Sequence, residues 1–488
     1  MSPFQALRDL ATEAAIISSS AATLGWDQET GMPAKASPWR SRQLGWLAGR
    51  EHQLRTSQRW QAALDQAEPD NDRELASLRE MRRNFERAAC LPTAFVERET
   101  ELTSQAKHAW AEARSKDDFA AFAPYLEQIV ALLREKADLW GFEHEPYDAL
   151  LEDYERGWTA EGIAGLFEAL APELRETAAR AVERSVSRSP VLPAGPYPIE
   201  AQQAFNREVA ASMGFDFDQG RIDTTTHPFC TTLGPADVRL TTRYDLDDFT
   251  SSLFGVMHEA GHGLYEQGLW AADFGLPAGG ACSYGIHESQ SRLWENHVGR
   301  SRAFWEKWLP VAGRHFPQLS GVSLDDFLAY VWKAGFTPIR VEADEATYDL
   351  HILLRFDLER RLLRGELAVA DVPAAWNDAF EASFGSRPPS DREGCLQDIH
   401  WSMGGIGYFP TYTLGNLGAA QLFAAACRHP EIGSGVEKAD YAGLLKWLRE
   451  NVHDAGATLP PADLIRRATG EEPSAAAHLA HLRERYTA

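Results

Sequence analysis

Cysteine is scarce in this 488-residue chain. The five residues, Cys90, Cys230, Cys282, Cys395 and Cys427, are odd in number and widely spaced, and no C-x-x-C pair occurs. This argues against a disulfide framework or a cysteine zinc site, fits a reducing compartment, and predicts buried free thiols. Long apolar runs are missing as well. No stretch approaches the about 18 apolar residues of a membrane-spanning helix. Arg8, Asp9 and Glu13 interrupt the N-terminal stretch that a signal peptide would keep apolar. Positive charge is also short, with 48 Lys and Arg against 71 Asp and Glu, for a net charge of −23. Such a surface repels phosphate backbones and anionic lipid, so neither nucleic acid nor membrane is expected as a partner. Together these absences predict a cytoplasmic protein.

What is present is ordinary for a globular chain: 44% hydrophobic and 24% charged residues, with length enough for a large core. Three stretches place apolar residues every three or four positions on a charged background. They are "SQRWQAALDQAEPDNDRELASLREMRRNFERAACLP" (57–92), "AFVERETELTSQAKHAWAEARS" (94–115) and "IAGLFEALAPELRETAARAVERSV" (163–186). This predicts a mostly α protein of long amphipathic helices. "SRSPVLPAGPYPIE" (187–200) is a linker or a long surface loop. Residues 222–246 differ, because β-branched and apolar residues alternate across a Gly-Pro-Ala-Asp turn. They predict a β-hairpin or short sheet whose edge could hydrogen-bond an extended peptide.

That sheet directly precedes "MHEAGHGLYEQG" (257–268), which carries H-E-x-x-H. The pattern arises by chance in roughly a few per cent of chains of this size, so it needs support. Asp247 and Asp248 are suited to cap the helix start and Gly268 to end it. His258 and His262 lie one turn apart and can point at one spot. Leu253, Phe254, Met257, Gly261 and Leu264 define the buried side, and Gly261 leaves room for a close neighbour. A third ligand is expected from "GIHESQSRLWEN" (285–296), where Glu288 follows His262 after 25 intervening residues. That gap suffices for a helix to end and a second to return alongside. His287 is a weaker candidate, since on a helix it points about 100° away from Glu288. Glu295 either supports a ligand histidine or is a plain surface charge.

H-E-x-x-H followed by H-E-S-Q-S-R resembles the carboxypeptidase Taq family of zinc metallocarboxypeptidases. Similar motifs run in order along the chain: "LGWDQETGMP" (24–33), "YDALLEDYERG" (147–157), "HPF" (227–229), "DVRLT" (237–241), "IRVEAD" (339–344), "GCLQDIHW" (394–401) and "GYFPTYTLGN" (407–416). The resemblance implies one helical fold, a single domain over 1–488, around a deep substrate groove. It further implies a divalent metal, usually zinc, a homodimer, and removal of C-terminal residues from peptides, while two His and one Glu would equally suit cobalt or manganese.

Peptide hydrolysis needs a nucleophile near pH 7, which zinc provides by lowering the pKa of water. Glu259, next to His258, is placed to take the proton and pass it to the leaving amine. The developing oxyanion needs a further donor. His400 and Tyr412 match, by resemblance, a histidine and a tyrosine with this role, and Tyr408 is the alternative tyrosine. Glycines 404, 405 and 407 would let the loop between them move. An exopeptidase must also hold a terminal carboxylate, for which arginine's planar fork is suited. Arg340 is the first candidate, against a structural ion pair with Glu342 or Asp344. Arg239 is the second, and His227, which either lines the pocket or orders the hairpin, is assigned to substrate binding. Two other readings compete: a zinc oligopeptidase or dipeptidyl carboxypeptidase, and an inactive zinc-containing scaffold. The retained Glu259 speaks against the scaffold.

Overall fold

Segments with three- and four-residue apolar spacing fold as helices in the computed structural model of the protein, which describes residues 4–487. The 57–92 segment forms two, Gln58–Gln66 and Asp72–Cys90, and Thr93–Lys116 and Ala160–Arg188 follow. Ser57, Asp118 and Thr159 cap helix starts, each side chain accepting from a backbone N–H that would otherwise lack a partner. The described residues hold twenty α-helices and one three-stranded sheet, the mostly α class expected. None of these helices is long and apolar enough to cross a membrane.

The chain forms two units, each drawn from three segments: Met1–Ala88, Val191–Val331 and Gly418–Pro473, and Ala89–Pro190, Trp332–Leu417 and Ser474–Ala488. In the first, Leu7, Leu10 and Ala14 of Gln5–Thr30 pack with Trp60, Leu64, Leu78 and Met81. A second group in this unit is aromatic, with Phe249 against Tyr197, Phe205 and Phe316. The other unit has a leucine-rich core. Leu126, Ile129 and Leu133 of Phe119–Trp140 meet Ile163, Phe167, Leu170 and Leu174 of Ala160–Arg188, and Leu350, Leu354, Leu358 and Leu362 of Tyr348–Arg364. Burying each such side chain contributes about 1.5–3 kcal/mol. Residues 189–198 run without helix or strand, and one passage between the units falls within them.

The sheet is richer than a hairpin. β2 (Cys230–Gly234) and β3 (Asp237–Thr242) are antiparallel around the Gly-Pro-Ala-Asp turn, where Ala236 takes φ 63°. β1 (Gly220–Thr224) pairs parallel to β3, so the order is β1-β3-β2. A parallel pair needs a crossover, and β2 lies within it. The loop that turns the chain back contains His227-Pro228-Phe229, anchored by Phe229 N–H on Thr241 Oγ1 and Thr241 N–H on Phe229 O. The thiols are all free, but only Cys282 and Cys395 are buried. Cys90, on the last turn of its helix, is exposed and departs from the expectation.

Candidate active site

The helix Phe249–Glu266 starts where the sequence places its cap: Asp248 accepts from Thr250 N–H at 2.9 Å. Burial extends beyond the predicted stripe. Val256, Ala260 and Tyr265 are covered along with Leu253, Met257 and Leu264, so the helix is enclosed on nearly every side. Gly261 is the contact point. A Cβ there would lie 2.6 Å from Gln290 O and from Ser291 Cα, backbone atoms of the helix Tyr284–Arg292. Ser283 caps that second helix, accepting from Ile286 N–H at 3.1 Å. The backbone-to-backbone crossing sets Glu288 against both histidines.

Glu288 Oε2 lies 3.7 Å from His258 Nε2 and 3.5 Å from His262 Nε2. One donor atom from each of the three residues falls within 4.8 Å of the other two, a group that could hold a metal ion. The opposite ring nitrogens are engaged. His258 Nδ1 meets Glu295 Oε2 at 2.9 Å. His262 Nδ1 meets His287 Nδ1 at 2.5 Å, and His287 Nε2 meets Glu266 Oε1 at 2.9 Å. Arg292 Nε donates to Glu288 Oε1 at 2.7 Å, and Arg300 to Glu295 at 2.9 Å. Two imidazole Nε2 atoms and a carboxylate oxygen, each backed in this way, fit a divalent ion of borderline softness.

The two histidines sit in different electrostatic surroundings. Burial resists charge on His258, but Glu288, the hydrogen bond to Glu295 and Glu259 outweigh it and raise its pKa to about 9. On His262, burial and the neighbouring His287 dominate, and its pKa falls to about 3. Burial works against Glu295 as well, yet His258, Arg292 and Arg300 hold it at about 2. Glu259 is buried beside this group. Burial first, then the charges of Glu288 and Glu295 against the pull of His258, raise its pKa to about 7.

In the other unit, Arg340 is 4% exposed. Its Nε and Nη2 donate to Asp398 Oδ1 at 3.1 and 2.8 Å and its Nη1 to Tyr348 Oη at 2.7 Å. The ion pair weighed against its binding role therefore exists, but with Asp398 instead of Glu342 or Asp344. Arg355 takes the other oxygen of Asp398, with Nε at 2.8 Å. Burial raises the pKa of Asp398, and the two arginines overcome that and hold it well below the usual carboxylate range. The Arg340 guanidinium lies 4.8 Å from the Tyr412 ring centroid. His400 Nε2 is 3.5 Å from Tyr412 Oη, and Tyr408 packs on both rings, its centroid 5.4 Å from each. Burial, with Arg340 and Arg355 against the opposing Asp398, brings the His400 pKa to about 4, so the ring is neutral at pH 7.

The structure thus brings His258, His262, Glu288 and Glu259 together in one unit, and Arg340, His400, Tyr408 and Tyr412 together in the other. Arg239, on β3, pairs with both oxygens of Asp237 at 2.8 and 2.9 Å and lies 4.4 Å from a Trp26 ring centroid. His227 is exposed in the β1–β2 loop. Sequence reasoning set His287 beside Glu288 as a weaker ligand, whereas the side chain backs His262. It missed Glu266, Asp398 and Arg355 altogether. Glu295 proves to be no plain surface charge. It sits on a π-helical turn, Leu293–Gly299, with no signature in composition or spacing.

Paired imidazoles on H-E-x-x-H, a carboxylate from a second helix and a buried glutamate beside them are the arrangement of a metal-dependent peptidase. The family is settled by comparison: a model described as carboxypeptidase Taq (M32) metallopeptidase matches residues 6–486. Thermostable carboxypeptidase 1 of Thermus thermophilus is 41% identical, over 99% of this chain and 98% of that protein. Carboxypeptidase 1 of Bacillus subtilis is 36% identical over 98% and 97%. The crystal structure of an M32 carboxypeptidase from Deinococcus radiodurans superposes with a TM-score of 0.94 at 40% identity, covering 99% and 98% of the two chains. The chain belongs to the M32 family and is a metallocarboxypeptidase.

Proposed function

We propose that the protein trims C-terminal residues from peptides with one zinc ion per chain, held by His258, His262 and Glu288, and with Glu259 as general base. One observation carries this: three donor atoms lie within 4.8 Å of one another while both histidine Nδ1 atoms are engaged elsewhere. A bound zinc ion supplies Lewis acidity and lowers the pKa of water toward 7, and cobalt or manganese suits the same donors. Glu259, buried beside these donors, takes the proton of the attacking water and delivers it to the leaving amine. Glu295 and the His287–Glu266 pair hold the two ligand rings in orientation.

His400 and Tyr412, with Tyr408 as the alternative, donate hydrogen bonds to the carbonyl oxygen as it gains charge. Arg340 grips the terminal carboxylate with the two N–H groups it does not give to Asp398 and Tyr348. Arg239 is the second candidate, and His227 lines the substrate pocket. The motif resemblance supports these assignments. We also assign the two units to one peptidase domain, since a single family match spans 6–486 and neither unit is continuous in sequence. A cytoplasmic homodimer completes the reading.

A mixed peptide pool followed by mass spectrometry tests the activity. Loss of single residues from the C-terminus is expected. Loss of two per step would favour a dipeptidyl carboxypeptidase, internal cleavage an oligopeptidase, and no cleavage by metal-loaded protein the scaffold. Glu259→Gln keeps shape but cannot accept the proton. It should retain metal and fold while turnover falls by roughly two to four orders of magnitude. Loss of metal in that variant would make Glu259 structural.

A further inference from the structure

We infer that Glu359 is a positioning residue for the 400–412 segment, its carboxylate setting the geometry of His400, Tyr408 and Tyr412. The inference rests on the proposed role of those side chains. Glu359 lies on Tyr348–Arg364 and is fully buried. It receives three hydrogen bonds from three places. Trp401 Nε1 donates to Oε1 at 2.9 Å, Gly407 N–H to Oε2 at 3.1 Å, and Tyr147 Oη to Oε2 at 2.8 Å. Trp401 is the neighbour of His400, and Gly407 the neighbour of Tyr408. One carboxylate thus holds both ends of the loop between them.

The loop has little latitude against its support. Gly407 has φ 98°, and a Cβ there would lie 3.3 Å from Leu150 C and Leu151 N, on the short helix Pro146–Leu151 that also carries Tyr147. Glu359 hydrogen-bonds to that helix and to the loop. Among the described residues it has no ion pair, for the nearby Arg355 is committed to Asp398. Burial raises the Glu359 pKa to about 7, against the hydrogen bonds from Trp401, Gly407 and Tyr147 and the charge of Arg355. The other groups facing this cluster are Tyr154 and Arg360, both near Tyr147. A buried carboxylate without a counter-ion is costly, and an apolar residue of similar volume would pack more cheaply. What an apolar residue would not provide is an acceptor for two N–H groups and one O–H. Without that acceptor they would compete for other partners and shift the loop. A misplacement of about 1 Å at catalytic donors lowers turnover by up to roughly a hundred-fold.

The test uses metal-loaded enzyme and one free-acid peptide, with kcat and KM measured per mole of folded, metal-containing protein. Glu359→Gln removes the charge and turns one acceptor into a donor. Its kcat should fall roughly ten- to a hundred-fold while KM changes by less than about three-fold. Tyr147→Phe keeps the ring and removes one of the three donors, so it should lower kcat in the same direction by a smaller factor. It also decides the question if Glu359→Gln does not fold. Combining Glu359→Gln with Tyr412→Phe should cost much less than the product of the single effects, because both act on one group. Parent-like kcat in both Glu359→Gln and Tyr147→Phe, with Tyr412→Phe slow, overturns the inference and leaves Glu359 a structural residue. Parent-like kcat in both Tyr412→Phe and His400→Ala instead overturns the proposed donors, whatever Glu359→Gln does.

Discussion

At the residue scale, the two histidines of H-E-x-x-H are not equivalent. His258 is backed directly by a carboxylate, Glu295, and His262 by a second imidazole that is itself held by Glu266. A carboxylate partner makes the imidazole a better donor and fixes its tautomer. Glu295→Ala should therefore weaken metal binding roughly ten- to a hundred-fold, as read by competition with a chelator of known affinity. Unchanged affinity would remove Glu295 from the metal site. Glu359 has a separate consequence for stability. Its pKa is raised from 4.5 to about 7 in the folded protein, so the folded state binds that proton more tightly than the unfolded chain. The resulting stabilisation is complete below pH 4.5 and is lost as pH rises toward 7. Glu359→Gln carries no such proton. Denaturant midpoints of parent and variant should thus diverge between pH 5 and 7.5, with the parent losing ground as pH rises. A constant difference would mean that the Glu359 pKa is not raised.

At the scale of elements, the proposed metal site depends on one backbone crossing. Gly261→Ala would press a methyl against Gln290 O and Ser291 Cα, backbone atoms that cannot rotate away. The helices must then part, and Glu288 moves with its helix. A loss of about 1–3 kcal/mol is expected, together with reduced metal content. Gly45→Ala, in the exposed helix Ser37–Arg55, is the control, because its Cβ meets nothing within 4 Å. There alanine should be neutral or stabilising by up to about 1 kcal/mol. Thermal denaturation and metal analysis of both variants separate the cases. A Gly261→Ala protein with parent Tm and full metal would show that the crossing tolerates separation. The π-helical turn belongs to the same contact. A Cβ on Gly299 would lie 2.7 Å from Met257 Sδ, on the helix Phe249–Glu266.

At the scale of the whole molecule, a protein of net charge −23 acts on substrates that end in a carboxylate. Bulk electrostatics repel that end, so a local cation has to offset them. If Arg340 is that cation, amidating the peptide C-terminus removes a charge-assisted contact of about 1.5–3 kcal/mol, or roughly ten- to a hundred-fold in kcat/KM. The penalty should nearly vanish in Arg340→Ala. Equal cleavage of acid and amide by the parent would refute recognition of the carboxylate. Undiminished discrimination by Arg340→Ala would move the role to Arg239. The Asp237 partner of Arg239 is 41% exposed, and such a pair is weak enough to exchange for a substrate carboxylate.

The sequence by itself determined the helices, an aspartate cap at 247 or 248, the His-His-Glu set and the need for a small residue at 261. Each depends on periodicity or on chemistry within a few residues. The tertiary structure alone decided where the second helix crosses, and with it the role of His287. Rotation about its own axis points His287 away from Glu288, but that angle says nothing of what stands on the other side, and what stands there is His262. Arg340 follows the same logic. Its sequence neighbours Glu342 and Asp344 are the partners that a competing structural ion pair would use, yet Asp344 accepts the N–H of Gly335 and Ala346, and Arg340 turns to Asp398. β1 likewise finds its parallel partner only once β2 has turned the chain back. Local spacing sets which way a side chain leaves its own element. The packing of every other element sets what it meets, because a buried polar group takes the partner that the assembled core presents.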